Sequence, residues 1–268
     1  MTLKFDHSKN IILIDSSYYV FYRYFATMRW FMFQNKVFDI PTITENEEYI
    51  SYFTKHTQSD ITKICRKWKT VKENIVFCGD CQRCDIWRND IYKDYKGNRI
   101  TNENFNGDIF VVFEKILNDM SIQKQIFDRL EADDIVFLIQ KELKKNPMNN
   151  IVIITNDNDY LQMVDKNIEI FNMQFKDISQ RGLCDPKTDL YQKILFGDKS
   201  DNIIKISPNM TKQKSIEISK MDIEDIHDWA TKENVLENFE LNMKLISFDH
   251  IPAEIVKNFY KNNVIPIQ

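Results

Sequence analysis

Three short apolar runs in this chain each finish on an aspartate: IILID at Asp15, IVFCGD at Asp80 and IVIITND at Asp157. One aspartate after an apolar run is ordinarily a turn opener or a helix cap. The acids elsewhere exceed what capping needs. LEADDIVFLI puts Glu131, Asp133 and Asp134 in the first turn of an amphipathic helix, where the dipole favours acids but does not require three in four positions. TNDNDY adds Asp159, and FGDKSDN adds Asp198 and Asp201. Nine carboxylates gathered at one rim repel one another strongly, so the set predicts divalent cations. Oxygen-only ligands suit two Mg2+ or Mn2+ ions, and zinc is not expected. A carboxylate bed holding two ions about 3.5–4 Å apart is an arrangement that cleaves phosphodiester bonds. No side-chain nucleophile is required, and none is evident.

The elements that must position these acids follow from the same runs. Each run is nearly continuous in apolar residues, as in a strand buried on both faces, and each is followed by helical sequence. A fourth strand is predicted over 168–173. Strands alternating with helices indicate an α/β domain with a mostly parallel sheet. In such a sheet ligands bind beyond the carboxyl ends of the strands, so neighbouring strands would bring the aspartates together. Helices are predicted over 131–145, where Ala132, Ile135, Val136, Ile139 and Leu143 form one apolar face, and over 107–120 and 45–71. From 185 onward only helices are predicted, at 190–196, 211–220, 223–230, 233–246 and 252–262. The expected organisation is an α/β body over 1–184 and a helical part over 185–268. The stretch 28–60 reads as an insertion without an assignable role.

Composition sets outer limits. The chain has 268 residues, enough for a substantial core, and its net charge of −4 excludes a surface coated in basic groups. Nucleic-acid binding would therefore need local basic clusters. Signal-peptide and membrane-span patterns are missing from the sequence, and five cysteines without secretory context indicate an intracellular, reducing setting.

One basic cluster lies between Arg83 and Arg99, where Arg83, Arg88, Lys93, Lys96 and Arg99 interleave with Trp87, Tyr92 and Tyr95. A helix over 85–97 would put Arg88, Tyr92, Tyr95, Lys96 and Arg99 on one face, basic groups for phosphates and aromatics for bases. The bland alternative is a solvated amphipathic helix. The same stretch holds Cys78, Cys81 and Cys84. They supply three thiolates without a clear fourth ligand, and are expected to be unligated thiols rather than a zinc site or a redox pair.

Six segments in order, ILIDSS, VFCGD, YKGNR, LEADDIV, IITNDNDYLQMV and LFGDKSDN, resemble the structure-specific 5′-nucleases. That family includes flap endonucleases, the 5′-nuclease domain of bacterial DNA polymerase I and phage 5′→3′ exonucleases. The tail NFELNMKLISFDHIPAEI is similar to that of the T-even phage ribonuclease H. The resemblance implies a PIN-like 5′-nuclease fold with a helical arch near 83–107 and two metal sites. The first would use Asp15, Asp80, Glu131 and Asp133. The second would use Asp134, Asp157, Asp159 and Asp201, with Asp198 acting through water. It further implies that Lys96 and Arg99 contact the scissile phosphate beside Asp15 and Asp80, that Arg88, Lys93 and Tyr95 contact nucleic acid nearby, and that Arg23 meets the 5′ region. The glycine-rich hairpin usual in the family is replaced near 198–220 by IIKISPNMTKQKSIEIS, with a turn expected at Ser207-Pro208-Asn209. Lys205, Lys212 and Lys214 keep it basic for duplex contact.

The implied activity is 5′→3′ exonuclease or flap endonuclease cleavage of DNA or RNA–DNA during replication or repair. The partners would be DNA with a 5′ flap, nick or RNA primer, and replication proteins, for a monomer with no membrane role. A PIN-type ribonuclease would share the acidic rim but lacks a reason for YKGNR and GDKSDN. A catalytically weak DNA-binding relative would be free to lose the carboxylates.

Overall fold

The structure, a computed structural model, describes residues 2–34, 36, 39–100 and 102–265. Five strands, β1 (Ile11–Asp15), β2 (Ile75–Gly79), β3 (Gln123–Ile126), β4 (Ile151–Ile154) and β5 (Ile168–Phe171), form one sheet in the order β3-β2-β1-β4-β5. Every neighbouring pair is parallel. The order reverses at β1, which lies between β2 and β4, and a crevice beyond the strand ends at such a switch point is where α/β sheets bind ligands.

Period-two alternation divides the apolar runs between two layers. Ile11, Leu13, Val76, Cys78, Ile151 and Ile153 pack with α4 (Ala132–Leu143) on one face. Ile12, Ile14, Ile75, Phe77, Val152 and Ile154 pack on the other with α1 (Ser16–Phe33), α2 (Glu47–Lys67) and α3 (Ile109–Asp119). The stretch 28–60 has a structural role there: Phe31, Tyr49 and Phe53 are fully enclosed in that layer.

A third apolar cluster joins α5 (Pro186–Phe196), α6 (Lys212–Ile218), α7 (Ile223–Lys232) and α8 (Leu236–Ile246) to Ile86 and Tyr95. The helices after 185 thus pack largely with one another, and one of them also crosses back to the sheet's layer. The last helix, α9 (Ala253–Asn262), returns Ile255 and Phe259 to the α4 layer, and the Tyr260 hydroxyl donates to the Leu138 carbonyl at 2.9 Å.

Two expectations need correction. The polar segment QKQI was not anticipated as a strand, yet it forms β3 at the sheet edge, where only one side pairs. The helix expected over 85–97 is instead a pair of 3₁₀ turns, Arg83–Asp85 and Trp87–Asp90, followed by turns. Among the described residues no α-helix lies between β2 and α3, so the arch region is not helical here. Ile86 takes an extended conformation between the turns, which lets Trp87 and Arg88 plunge inward instead of lying along a solvated face.

Candidate active site

The strand register brings the acids together. Asp15 lies opposite Cys78 in β2, so Asp80 follows two residues beyond the same level. Ile14 lies opposite Ile154, so Asp15 is level with Thr155, and Asp157 follows. Asp15 caps α1 by accepting from the Tyr18 N–H at 3.0 Å; its other oxygen accepts from Thr155 at 3.3 Å and Tyr160 at 3.2 Å. Asp80 accepts from the Ser17 hydroxyl at 2.6 Å and from the Ala132 N–H at 2.8 Å, which ties it to the start of α4. There Glu131 is the N-cap, in a reciprocal capping box with Asp134. The capping readings are therefore true of several acids and compatible with a site, since each cap uses only part of a carboxylate.

A cleft of about 520 Å³ results, lined by Asp15, Asp80, Glu131, Asp133 and Asp157, with Lys96 and Arg99 on its wall. Ser17, Tyr160 and Phe21 also reach it. Burial and the neighbouring charge of Asp80 push the Asp15 carboxyl up to about 6. Asp157 is pushed up to about 7: its side chain touches solvent, but the protein crowding its inner side and the Asp159 charge both disfavour ionisation. Burial, then Asp134 and Glu131, raises Asp133 well above the ordinary aspartate value. Burial would also raise Glu131, but Lys96 and Arg88 outweigh it and hold that carboxyl below its usual range. Lys96 pairs with Glu131 and stands 3.7 Å from Asp201, while Arg99 donates to Asp201 at 2.8 Å and remains half exposed.

Asp159, Asp198 and Asp201 form a second group, with one oxygen from each within 4.8 Å of the others. Gly197 makes this possible. It ends α5 at φ 74°, and a Cβ there would sit 2.5 Å from the Ile203 carbonyl oxygen, so only glycine lets the chain double back at this point. Asp198 and Ile203 then bond reciprocally, at 2.9 and 2.7 Å.

The structure moves several expected site residues elsewhere. Asp134 is wholly buried, its oxygens held by Arg88 and by the Trp87 indole N–H at 2.9 Å, and it does not line the cleft. Arg88 is 2% exposed, so as folded it contacts no phosphate. Tyr95 is buried as well. Its hydroxyl lies 2.9 Å from Glu131 and 3.1 Å from Asp201, orienting the acids instead of stacking on a base. Arg23 is buried against Asp60 of α2 and is not presented to a 5′ end. In each case a charged or aromatic residue was read as a surface group, when a partner distant in sequence takes it inside.

Lys93, Lys212 and Lys214 are exposed, as their expected role requires. Lys205 is half-buried over the Phe196 ring and donates to the Met210 carbonyl at 3.0 Å. The glycine-free turn is present, closed by the Met210 N–H on the Ser207 carbonyl at 3.0 Å. Cys78 is buried in β2, where burial pushes its thiol far up, and Cys81 and Cys84 reach the surface. Sequence reasoning missed Lys193, which pairs with both Asp159 and Asp198. A lysine in the last turn of a helix has an ordinary dipole explanation, which concealed it.

A parallel sheet carrying an acidic rim at its switch point fits a resolvase-like α/β domain. Residues 10–189 match the family model described as the 5′-3′ exonuclease, N-terminal resolvase-like domain, and the chain belongs to that family. A 5′-3′ exonuclease of Mycoplasmopsis pulmonis is 28% identical over 210 residues, covering 76% of this chain and 64% of that protein. The chain thus spans a little under two thirds of that relative's length. The Ribonuclease H of Enterobacteria phage T4 is 26% identical over 219 residues, covering 72% of this chain and 71% of the phage protein. Among solved structures, the T5 D15 protein co-crystallised with metal ions superposes with a TM-score of 0.67 at 17% identity, covering 95% of this chain and 98% of that one.

Proposed function

We propose that this chain is a divalent-metal-dependent nuclease that hydrolyses phosphodiester bonds near 5′ ends of DNA or RNA–DNA. The observation that carries the reading is the convergence of Asp15, Asp80, Glu131, Asp133 and Asp157 on one cleft whose wall also holds Lys96 and Arg99. The donor set fits hard divalent cations. It is all oxygen, and burial with like charge nearby pushes Asp15, Asp133 and Asp157 toward protonation, a cost that a bound cation removes. Asp15, Asp80, Glu131 and Asp133 would hold one ion and Asp157, Asp159 and Asp201 a second, with Asp198 supporting the latter. Asp134 is not among them as folded, because Arg88 and Trp87 occupy its oxygens. Two Mg2+ or Mn2+ ions would activate a water and neutralise charge building on the phosphate.

The remaining work falls to the chain itself. Lys96 and Arg99 are paired to Glu131 and Asp201 in this state and face the cleft. A phosphate arriving there would draw both cations, which then stabilise the pentacovalent transition state. Ser17, Thr155 and Tyr160 hold Asp80 and Asp15 in place, so the acids need not reorganise when substrate binds. Exposed Lys93, Lys212 and Lys214 offer further phosphate contacts for a strand or duplex beyond the cleft.

The family membership supports this reading, as does the fold likeness to a T5 D15 flap endonuclease whose solved complex contains DNA and metal ions. The likeness to a phage protein named Ribonuclease H is the reason to include RNA among the substrates. The test is incubation with Mg2+, Mn2+ or EDTA and a 5′-labelled flap, nicked duplex, RNA–DNA hybrid or single strand. Metal-dependent release of short products from the 5′ end is expected. No cleavage of any of the four with either ion would sink the reading.

A further inference from the structure

The two groups of acids differ in one respect. In the cleft, Asp15, Asp80, Asp133 and Asp157 have no cationic side chain within ion-pairing distance among the described residues, and of the cleft's acids the cations there reach only Glu131; the Asp159, Asp198 and Asp201 group contains its own cation. Lys193, near the end of α5, pairs with Asp159 and, at 2.6 Å, with Asp198. Asp201 completes the group, and its members' oxygens come within 4.8 Å of one another. Only 22% of the Lys193 side chain is exposed, so its ammonium is committed to this place rather than waving in solvent. It bridges two carboxylates of the group that a second divalent ion would use.

Lys193 also has somewhere to go. It lines two separate cavities: one of about 350 Å³ shared with Asp157, Asp159 and Lys212, and one of about 480 Å³ shared with Lys199 and Lys205. A flexible four-carbon stem can withdraw its ammonium into such space without moving the helix that carries it.

We propose that Lys193 is a tethered counter-ion: it holds the Asp159–Asp198–Asp201 group together when no metal is bound, and competes with a divalent cation for Asp159 and Asp198. An ion entering this second position must displace the ammonium from Asp159 and Asp198, whereas in the first position Asp15, Asp80 and Asp133 have no cationic partner among the described residues and only Glu131 is paired, to Lys96 and Arg88. The inference rests on the metal-dependent reading above and goes beyond it, by naming the residue that sets how readily the second position fills.

The test uses the full chain without nucleic acid. Metal-free wild type, Lys193→Met and Lys193→Arg are titrated with Mn2+, following free Mn2+ by its paramagnetic resonance signal, and melted with and without Mn2+. Loss of one unit charge beside the ligands should tighten the weaker Mn2+ step in Lys193→Met by about tenfold or more. The metal-free variant should melt lower than wild type, because its acids have lost their cation, and saturating Mn2+ should close that gap. Lys193→Arg keeps the charge and should bind like wild type. Should Lys193→Met not fold, Lys193→Gln, which still donates to the acids, must show the same tightening. Weaker or unchanged Mn2+ binding in the neutral variants would overturn the proposal and make Lys193 a scaffold for the ligands. If wild type binds Mn2+ and the variants merely match it, only this inference fails; if wild type binds none, the nuclease reading fails with it.

Discussion

Arg88 grips Asp134 through two parallel hydrogen bonds of 2.8 Å, and the same guanidinium donates to Glu131 and to the Leu245 carbonyl, each at 2.8 Å. One side chain thus fastens the first turn of α4, which carries the acids, to α8 of the helical part. Burial opposes its charge, yet Asp134, Tyr95 and Glu131 hold its pKa well above the usual value. The stretch between β2 and α3 therefore serves as the buttress under the site as well as its basic wall.

Removing one partner of a buried pair strands the other. Arg88→Ala should therefore cost about 3–5 kcal/mol of stability, since Asp134 and Glu131 would be left buried with less compensation. Arg88→Lys cannot reproduce the fork and should recover only part. Chemical denaturation measures both. The salt dependence of DNA binding by protein that stays folded should not change, in contrast to what a phosphate contact would give. A smaller salt slope with unchanged stability would contradict the buttress assignment.

Lys96→Ala and Asp80→Asn should each lower the cleavage rate by about a hundredfold or more, the scale seen when one transition-state contact is lost. Their signatures differ. Lys96 is paired to Glu131, so its loss should destabilise the metal-free fold, whereas Asp80 has only uncharged donors and its neutral substitute should fold normally. Single-turnover cleavage beside thermal melts separates the two. Equal activity in Asp80→Asn would refute its assignment as a metal ligand.

Most of the rim was legible in the sequence because its logic is local. An apolar run ending on aspartate fixes both a buried strand and a carboxylate at its end, and Asp15, Asp80 and Asp157 were readable on those grounds. β3 was not, because an edge strand with QKQI carries little apolar signal. Arg88, Tyr95 and Arg23 were misplaced for a different reason. A charged or aromatic residue on a short segment looks solvated unless its partner is known, and Asp134, Glu131 and Asp60 lie 46, 36 and 37 residues away. Lys193 belongs to the same class, since its pairing with Asp159 spans 34 residues.

Exposed Lys212 should act on duplex binding uniformly across sequences. Lys212→Ala is expected to weaken binding and to reduce the slope of log affinity against log salt by about one. Lys205→Ala should behave differently, because that amine is engaged with the Met210 carbonyl and lies 4.3 Å from the Phe196 ring centroid. It should loosen the 204–211 turn, seen as faster proteolysis there, with a smaller change in salt slope. Fluorescence anisotropy at several salt concentrations checks the first, and a limited-proteolysis time course the second.

The raised acids make stability depend on pH with a definite sign. Asp15, at about 6, and Asp157, at about 7, both stand above the ordinary aspartate value of 3.8. Between about pH 4 and 7 the folded chain therefore holds protons that the unfolded chain has already released. Stability from these groups is fully present below pH 4 and is lost as pH rises through 6 and 7. Glu131 and Asp198, whose values are lowered, act oppositely but only on the acid side of their ordinary ranges. From pH 5 to 8 the metal-free protein should thus melt at progressively lower temperature. Mg2+ binds the deprotonated acids, so its stabilising effect should be small at pH 5 and large at pH 8. Asp157→Asn, which cannot ionise, should flatten part of the decline in EDTA. Melting curves across that range, with EDTA and with Mg2+, decide the matter: a midpoint that rises with pH in EDTA, or an Mg2+ effect independent of pH, would mean that the rim acids are already ionised and compensated within the protein.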